Sequence, residues 1–432
     1  MSLRKWIVGS SERAAVGDLT RWRSSRVCRV LSAERGIALV TVLLFMAVLV
    51  LLGTAFLTLS STETQIAFNE RSAVQAFFLA EAGANKAISQ LNADATYTGE
   101  TDSPLGAGTF TVTVDAIPTP AGSFDRKRVA SFGYVPNSTA PGAMARVEVV
   151  VERGSPFRWA AFGRNGVEFA TEGLTDSYDS ETGTYDASNA GAGGDIGSNS
   201  DVNLKKDVTI GGDAIAGARL QKEADVVITG LMKENAPPHT LASVSIPAGS
   251  GSNVKVLKEG SEILSPGSYG MLRVENNGTI TLHPGIYSFY GKIWLKKGAG
   301  LKVSPSGKVK MYLTDEFRVD KDVRINADPS ALSTNLLIYS SGNRVWIDRG
   351  AIFYGAIYAP DADIRVKKLD AGLQGETPSD ASTTVFGTLI GKQIDVGMSQ
   401  RLHFDEALLK EKSRYGPFRP VAGTWREVVP SS

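Results

Sequence analysis

The sequence predicts a mainly β chain with a long N-terminal α-helix, followed by a small antiparallel sheet and then a parallel β-helix, a solenoid of short coils. Three observations carry this. Apolar residues run unbroken over residues 37–59 and continue at helical spacing to Leu91. Three segments of alternating apolar and polar residues follow between Gly106 and Arg153, separated by Pro, Gly and Ser. Beyond Pro156 the chain turns to short strands cornered by Gly, Asn and Asp.

Composition narrows the function classes. The 432 residues carry a net charge of +1, too balanced for a nucleic-acid binder held by net charge, and the length asks for more than one module. Glycine, at 45 residues, exceeds the usual share of roughly 7% and lies mostly beyond Leu105, where many turns are therefore expected. Cys28 is the only cysteine, so no disulfide forms within the chain. His239, His283 and His403 lack ligand-like spacing, which argues against zinc and against histidine-based catalysis.

The first 36 residues read as a basic leader in which Arg4, Lys5, Arg13, Arg21, Arg23, Arg26, Arg29 and Arg35 outnumber Glu12, Asp18 and Glu34. The next stretch, about 23 residues without charge or proline, is long enough to cross a hydrocarbon core that needs roughly 20. The flanking charges keep the N-terminus in the cytoplasm. An ordinary signal anchor has the same hydropathy; a secretory signal peptide fits less well, because its apolar region is shorter and ends in a small-residue cleavage site. After the run, "STETQIAFNERSAVQAFFLAEAGANKAISQL" keeps a helical pattern. Ile66, Val74, Phe77, Phe78, Ala84, Ile88 and Leu91 recur at steps that place them on one stripe, and Ile66, Phe77, Phe78 and Ile88 are the expected packing residues. Residues 37–92 are thus expected to form one rod, about 82 Å long from Ile37 to Leu91 at 1.5 Å per residue.

These residues carry a resemblance. "ERGIALVTVLL" resembles the cleavage site of type IV prepilins, and "ETQIAFNERSAVQAFFLAEAGANKAI" resembles the N-terminal domain of PilX-type minor pilins. The resemblance implies that Gly36 ends the leader, that Ile37 starts the mature chain, and that a prepilin peptidase cuts between them. It implies other pilins and the pilus assembly machinery as partners. The location it implies is the inner membrane of a Gram-negative cell, spanned once with the N-terminus cytoplasmic, and afterwards the periplasm or pilus surface. Thr41 stands at the fifth mature position, where major pilins usually carry a glutamate. That departure suits a rare tip or initiating subunit, because an unpaired carboxylate in lipid is costly.

Residues 105–153 read as a pilin-like β-meander against which the helix stripe would pack. Residues 156–409 read as the β-helical head and 410–432 as a C-terminal tail. In "DVNLKKDVTIGGDAIAG" the short strands recur about six residues apart, a rhythm expected of stacked coils. The competing β-sandwich would show longer strands and cleaner alternation. The stretches "DSYDSETGTY", "GDIGSNSDV" and "FYGAIYAPDADI" also resemble the β-helical region of large PilX-like proteins.

Chemistry-bearing residues are few. Asp176, Asp179, Glu181 and Asp186 lie in one loop and could ligate calcium, although their spacing is not that of an EF-hand and a solvated turn explains them as well. No other cofactor is expected. Because β-helices host polysaccharide lyases and hydrolases, Asp320, Asp322, Asp348, Asp361 and Asp363 are the candidates for an acid and base pair. Tyr287, Phe289, Tyr290, Trp294, Tyr354 and Tyr358 could stack on glycans or fill the core. The expectation is a non-enzymatic minor pilin of the type IV pilus whose head serves adhesion or priming, with a surface glycan or host ligand as partner and no nucleic acid. The alternatives are a membrane-anchored β-helical enzyme acting on polysaccharide and a type II secretion pseudopilin.

Overall fold

The computed structural model describes residues 34–328, 330–366 and 382–428, with side chains from residue 38 onward. Most of the leader, with Cys28, lies outside the described residues, as does Lys367. One long helix, α1 (Glu34–Ala93), is followed by a mostly β body with a small antiparallel sheet. Gly36 and Ile37 fall in the first turn of α1. The chain divides into two units between Glu70 and Arg71.

In the first unit the apolar side chains of α1 are bare. Leu39, Phe45, Leu57 and their neighbours between residues 39 and 59 are 45–72% exposed. Each gains about 1.5–3 kcal/mol on leaving water, so this segment requires an apolar surround. It is long and apolar enough to cross a membrane, with a mean hydropathy of 2.7 over its most apolar window. Its hydroxyls are already satisfied: Thr41 Oγ1 donates to Ala38 O at 3.0 Å, Thr54 to Leu51 O at 2.9 Å and Thr58 to Ala55 O at 2.8 Å. That is how polar side chains are tolerated in lipid-facing helices.

In the second unit the last turns of α1 lie on the antiparallel sheet. Its strands are β1 (Gly99–Leu105), β2 (Gly108–Ala116), β3 (Lys127–Val135) and β4 (Ala143–Arg153), paired in that order. The chain's end adds to it: Phe418–Pro420 and Arg426–Glu427 both pair with β4, so residues beyond 409 return to this sheet. The helix face that meets the sheet is made of Ala76, Leu79, Ala80, Ala84, Ala87 and Leu91, all buried. They pack on Phe110, Val112, Val129, Val147, Val149 and Phe418. Of the four expected packing residues, Phe77 and Ile88 sit at the edge of this cluster, whereas Phe78 is 59% and Ile66 52% exposed. Small residues carry the seam because the backbones come very close: a Cβ on Gly133 of β3 would lie 2.0 Å from Ala76 O.

The remaining strands are all parallel and wind around one apolar interior. Ala214–Ala216 pairs with Ile196–Ser198, Leu220–Lys222 with Asp201–Leu204, and Val227–Ile228 with Thr209–Ile210, each offset by 18 residues. Three strands at the six-residue rhythm therefore make one turn. Ile and Val columns fill the inside, for example Ile293, Phe317, Val345, Ile364 and Ile394, all 0% exposed. Corners are made by residues with positive φ, among them Asp207, Asp225, Asn277, Asp322, Gly298 and Gly350. Asp, Asn and Gly reach this conformation most easily. Side-chain carboxylate oxygens tie one turn to the next: Asp195 Oδ1 accepts from Asp213 N and Asp213 Oδ1 from Leu231 N, both at 2.7 Å.

The expectation of a simple solenoid needs correction. The parallel strands form a closed, barrel-like wall, and their stacking does not follow chain order. Thr384–Val396, near the end of the body, pairs with Ala161–Phe169 at its beginning, and Arg401–Asp405 pairs with Leu174–Tyr178. The stack therefore starts in mid-chain at Ser252–Val256, runs to the C-terminal strands and continues through the N-terminal ones. An unpaired parallel edge exposes a row of N–H and C=O groups; joining the two ends removes such an edge from each.

Candidate functional site

Along one outer face the alternation that sends Ile and Val inward sends a different set of residues out. Successive in-register positions are Lys255, Arg273, Trp294, Arg318, Trp346 and Arg365. With rungs about 4.8 Å apart, the two tryptophans lie two rungs, about 9.6 Å, from each other. Arg273, Lys292, Lys296 and Arg318 all lie over the Trp294 ring, at 5.2, 5.1, 4.9 and 5.0 Å from its centre. Arg318, Arg344 and Arg365 lie 5.8–6.0 Å from the centre of Trp346. The rings thus hold the cations in a fixed row, by an attraction worth about 0.5–1 kcal/mol each at exposed sites.

The two ends of the row differ in charge balance. Around Trp294 the cations are neutralised: Arg273 and Lys296 pair with Glu275 at 2.7 and 3.0 Å, Lys292 with Glu316 at 2.7 Å, and Arg318 with Asp320 at 3.0 Å. The hydrogen bond from Lys296, with the nearby Arg273, holds Glu275 below the usual carboxylate range. Asp320 also accepts the Trp294 indole N–H at 2.9 Å. Around Trp346 the exposed Arg344 and Arg365 have no ion pair among the described residues. The face can therefore bind an extended anion, most strongly at its Trp346 end.

The other sequence candidates are dispersed. Of the four loop carboxylates, Asp176 is buried against His403 (Oδ1···Nδ1 2.5 Å) and accepts from Tyr185 Oη at 2.8 Å. Asp179 Oδ1 accepts from Glu181 N, Glu181 pairs with Lys410, and Asp186 Oδ1 caps a short 3₁₀ turn through Ser188 N. The loop is held by these bonds rather than gathered around a cation, and among the described residues no group of three His, Cys, Asp or Glu is placed to hold a metal. Burial and the bond to Asp176 raise the Tyr185 phenol, which stays protonated.

The five aspartates are not brought together either. Asp320 serves the tryptophan row, Asp322 forms a corner, Asp348 Oδ1 accepts from Arg349 N, Asp361 pairs with Arg164 and Asp363 with Lys392. Of the aromatics, Tyr287, Phe289 and Tyr358 are fully buried, and Trp294 alone belongs to the outer row. Sequence reading missed Arg273, Arg318, Trp346 and Arg365. Their signal is an outward Arg or Trp between two buried apolar residues once per turn, hidden by turns of unequal length: 21 residues from Arg273 to Trp294, but 28 from Arg318 to Trp346.

Comparison with known proteins places the two ends of the chain. Residues 35–85 match the PilX N-terminal family model, and residues 251–411 match a domain of unknown function (DUF7305). The N-terminal part of the chain is therefore type IV pilin-like, and its long apolar helix is of the kind that anchors a pilin in a membrane. No curated protein matches the chain. An ice-binding protein from the Antarctic ascomycete Antarctomyces psychrotrophicus is similar at 12% identity and a TM-score of 0.27, over 58% of this chain and 98% of that one. The competence-associated pilin ComZ from Thermus thermophilus is similar at 13% identity and a TM-score of 0.23, over 83% and 98%.

Proposed function

We propose that this chain is a PilX-type minor pilin of the type IV pilus. It is held in the inner membrane by the apolar half of α1, is trimmed after Gly36, and joins other pilins at or near the pilus tip. Its body, read as a parallel β-helix whose stack begins in mid-chain, is an adhesive head and not an enzyme. The observation that carries the reading is the bare apolar segment between residues 39 and 59, lying inside the stretch that matches the PilX N-terminal model. The head's contribution is the tryptophan–arginine row, where Arg344 and Arg365 at Trp346, without an ion pair among the described residues, suit an anionic surface polymer. The dispersal of the five aspartates, four of them bonded to other groups, supports this reading over catalysis.

Co-expression with a prepilin peptidase tests the proposal. Mass spectrometry should find a chain that starts at Ile37, found also in sheared pili, and Gly36→Glu should abolish both by putting a charged side chain at the cut. An intact leader in peptidase-positive cells, or a trimmed chain that never enters sheared pili, would refute the assignment.

A further inference from the structure

A second feature of the body is independent of the tryptophan–arginine row and of assembly into a pilus. A cavity of about 340 Å³ opens where the start of the body, the segment around His239 and the returning C-terminus converge, next to the last turn of α1. Arg158, Trp159, His239, Tyr415 and Arg419 line it, with Asn92 from the helix. Two guanidinium groups therefore share one recess. Neither Arg158 nor Arg419 has an ion pair among the described residues, and Arg419 Nη2 is buried without a hydrogen-bond partner. Burial, and then the charge of Arg158, pulls the Arg419 guanidinium below its ordinary range. The same two causes lower the His239 imidazole.

The walls are fixed by bonds that do not use the cations. The His239 backbone is clamped on both sides by Asn199, at 2.7 and 2.8 Å, and the His239 ring stands edge-on to Trp159 and Phe162 at 5.6 Å. Asn92 is bonded to the Phe418 backbone through both its amide oxygen and its nitrogen. Tyr415 Oη donates to Ser245 O, and its ring packs on Tyr339 and Tyr358 at 5.1 and 5.7 Å, so Tyr415 meets the cavity by its edge. Arg419 is half-buried with the charge of the exposed Arg158 acting on it, an arrangement that an anion between the two would relieve. Guanidinium pairs grip carboxylates and phosphates through parallel N–H···O bonds, and flat aromatic walls suit a sugar ring. The volume lies at the small end of ligand sites, enough for one or two sugar units.

We infer that this cavity binds an acidic sugar unit, its carboxylate or phosphate held between Arg158 and Arg419 and its ring against the Trp159 and His239 side of the recess. The test is calorimetric titration of the full chain in detergent with glucuronate, glucose 6-phosphate, glucose and inorganic phosphate. The two sugar acids should bind saturably and glucose should not. Which acid binds better tells carboxylate from phosphate. Arg158→Gln and Arg419→Gln should each weaken binding roughly tenfold or more, with Arg419→Lys intermediate. Because Arg158 opposes Arg419, Arg158→Gln should leave the unliganded protein's melting temperature unchanged or higher, which a purely structural arginine would not do. Saturable binding that survives the double substitution, or no binding of any acid at millimolar concentration, would overturn the inference. Inorganic phosphate binding as tightly as the sugar acids would overturn the sugar assignment.

Discussion

The seam between α1 and the antiparallel sheet should fail at Gly133. An added Cβ there would stand 2.0 Å from Ala76 O, 2.6 Å from Ala80 N and 2.9 Å from Leu79 Cβ, against 3.4 Å for ordinary contact. Two of those atoms belong to the helix backbone, so no rotamer change relieves the clash and the helix must retreat by about 1 Å. A gap of that size forfeits a quarter to a half of each dispersion contact along Ala76, Leu79, Ala80, Ala84 and Ala87. Overpacking costs about 1–3 kcal/mol, and Gly133→Ala should sit near the top of that range, about 3 kcal/mol. Gly83 gives the control. Its added Cβ would meet Ser131 Oγ at 2.4 Å and Phe110 Cδ2 at 2.7 Å, buried side-chain atoms that can shift further than helix backbone can, and Ala gains about 0.8–1 kcal/mol over Gly inside a helix. Gly83→Ala should therefore cost roughly 1 kcal/mol or less. Urea unfolding of the full chain in detergent, together with hydrogen exchange of helix amides 76–91, measures both. A wild-type midpoint for Gly133→Ala, or equal losses for the two variants, would refute the close-approach argument.

Three further outcomes are expected. Ile338, 0% exposed within the body, should not accept a charge: Ile338→Lys should lower stability by more than about 3 kcal/mol, read as a shifted urea midpoint, and an unchanged midpoint would mean that the strand slips register. Phe77→Asp should destabilise the helix–sheet unit, whereas Phe78→Asp, at an exposed position, should leave its unfolding unchanged and instead reduce recovery in sheared pili; the reverse pattern would reassign the two faces. Glu148 is held below its ordinary value of 4.5, chiefly by the bond from Arg426 and also by Arg146, so its contribution is present above that pH and lost as pH falls through the depressed value. Exchange at Val428 N, which bonds to Arg146 O, should rise in acid and in Glu148→Gln; equal protection at pH 3 and pH 7 would show that the returning strand does not depend on this pair.

What could be read from the sequence follows the range of the forces involved. The apolar run, the helix after it and the strands β2, β3 and β4 declare themselves through local periodicity, and the structure has them where the patterns fall. β1, "GETDSPL", has almost no apolar alternation because it is an edge strand with most of its residues exposed or half-exposed. The returning strands Phe418–Pro420 and Arg426–Glu427 are too short for any pattern, and partners some 270 residues earlier hold them. The helix face was read only in part, with Ala84 and Leu91 in the seam and Phe77 and Ile88 at its edge but Ile66, Val74 and Phe78 exposed, for a different reason. Reading by hydrophobic size favours Phe77, Phe78 and Ile88, whereas a helix lying against Gly133 and Gly108 selects alanines. The candidate row was hidden in the same way: cation–ring contacts join strands whose spacing along the chain varies from turn to turn, so no fixed period exposes them.

The mid-chain start of the stack also settles how the body is tied to the sheet. Because Thr384–Val396 lies beside Ala161–Phe169, the chain enters and leaves the body on neighbouring turns. The two connections then bond to each other: Gly154 N donates to Pro417 O at 2.9 Å, and Ser413 N donates to Gly154 O at 3.1 Å. Arg153 joins them further, donating to Gly416 O at 3.0 Å and lying over the Phe418 ring at 4.3 Å. A solenoid stacked in chain order would put entry and exit at opposite ends, and a pull on one would be borne through every turn between them. Here a pull transmitted through β4 and the strand beside it is borne by adjacent, mutually bonded connections, and the turns carrying Trp294 and Trp346 lie outside that path. On the proposed adhesive role, that separation keeps the cations in register while the sheet is under load.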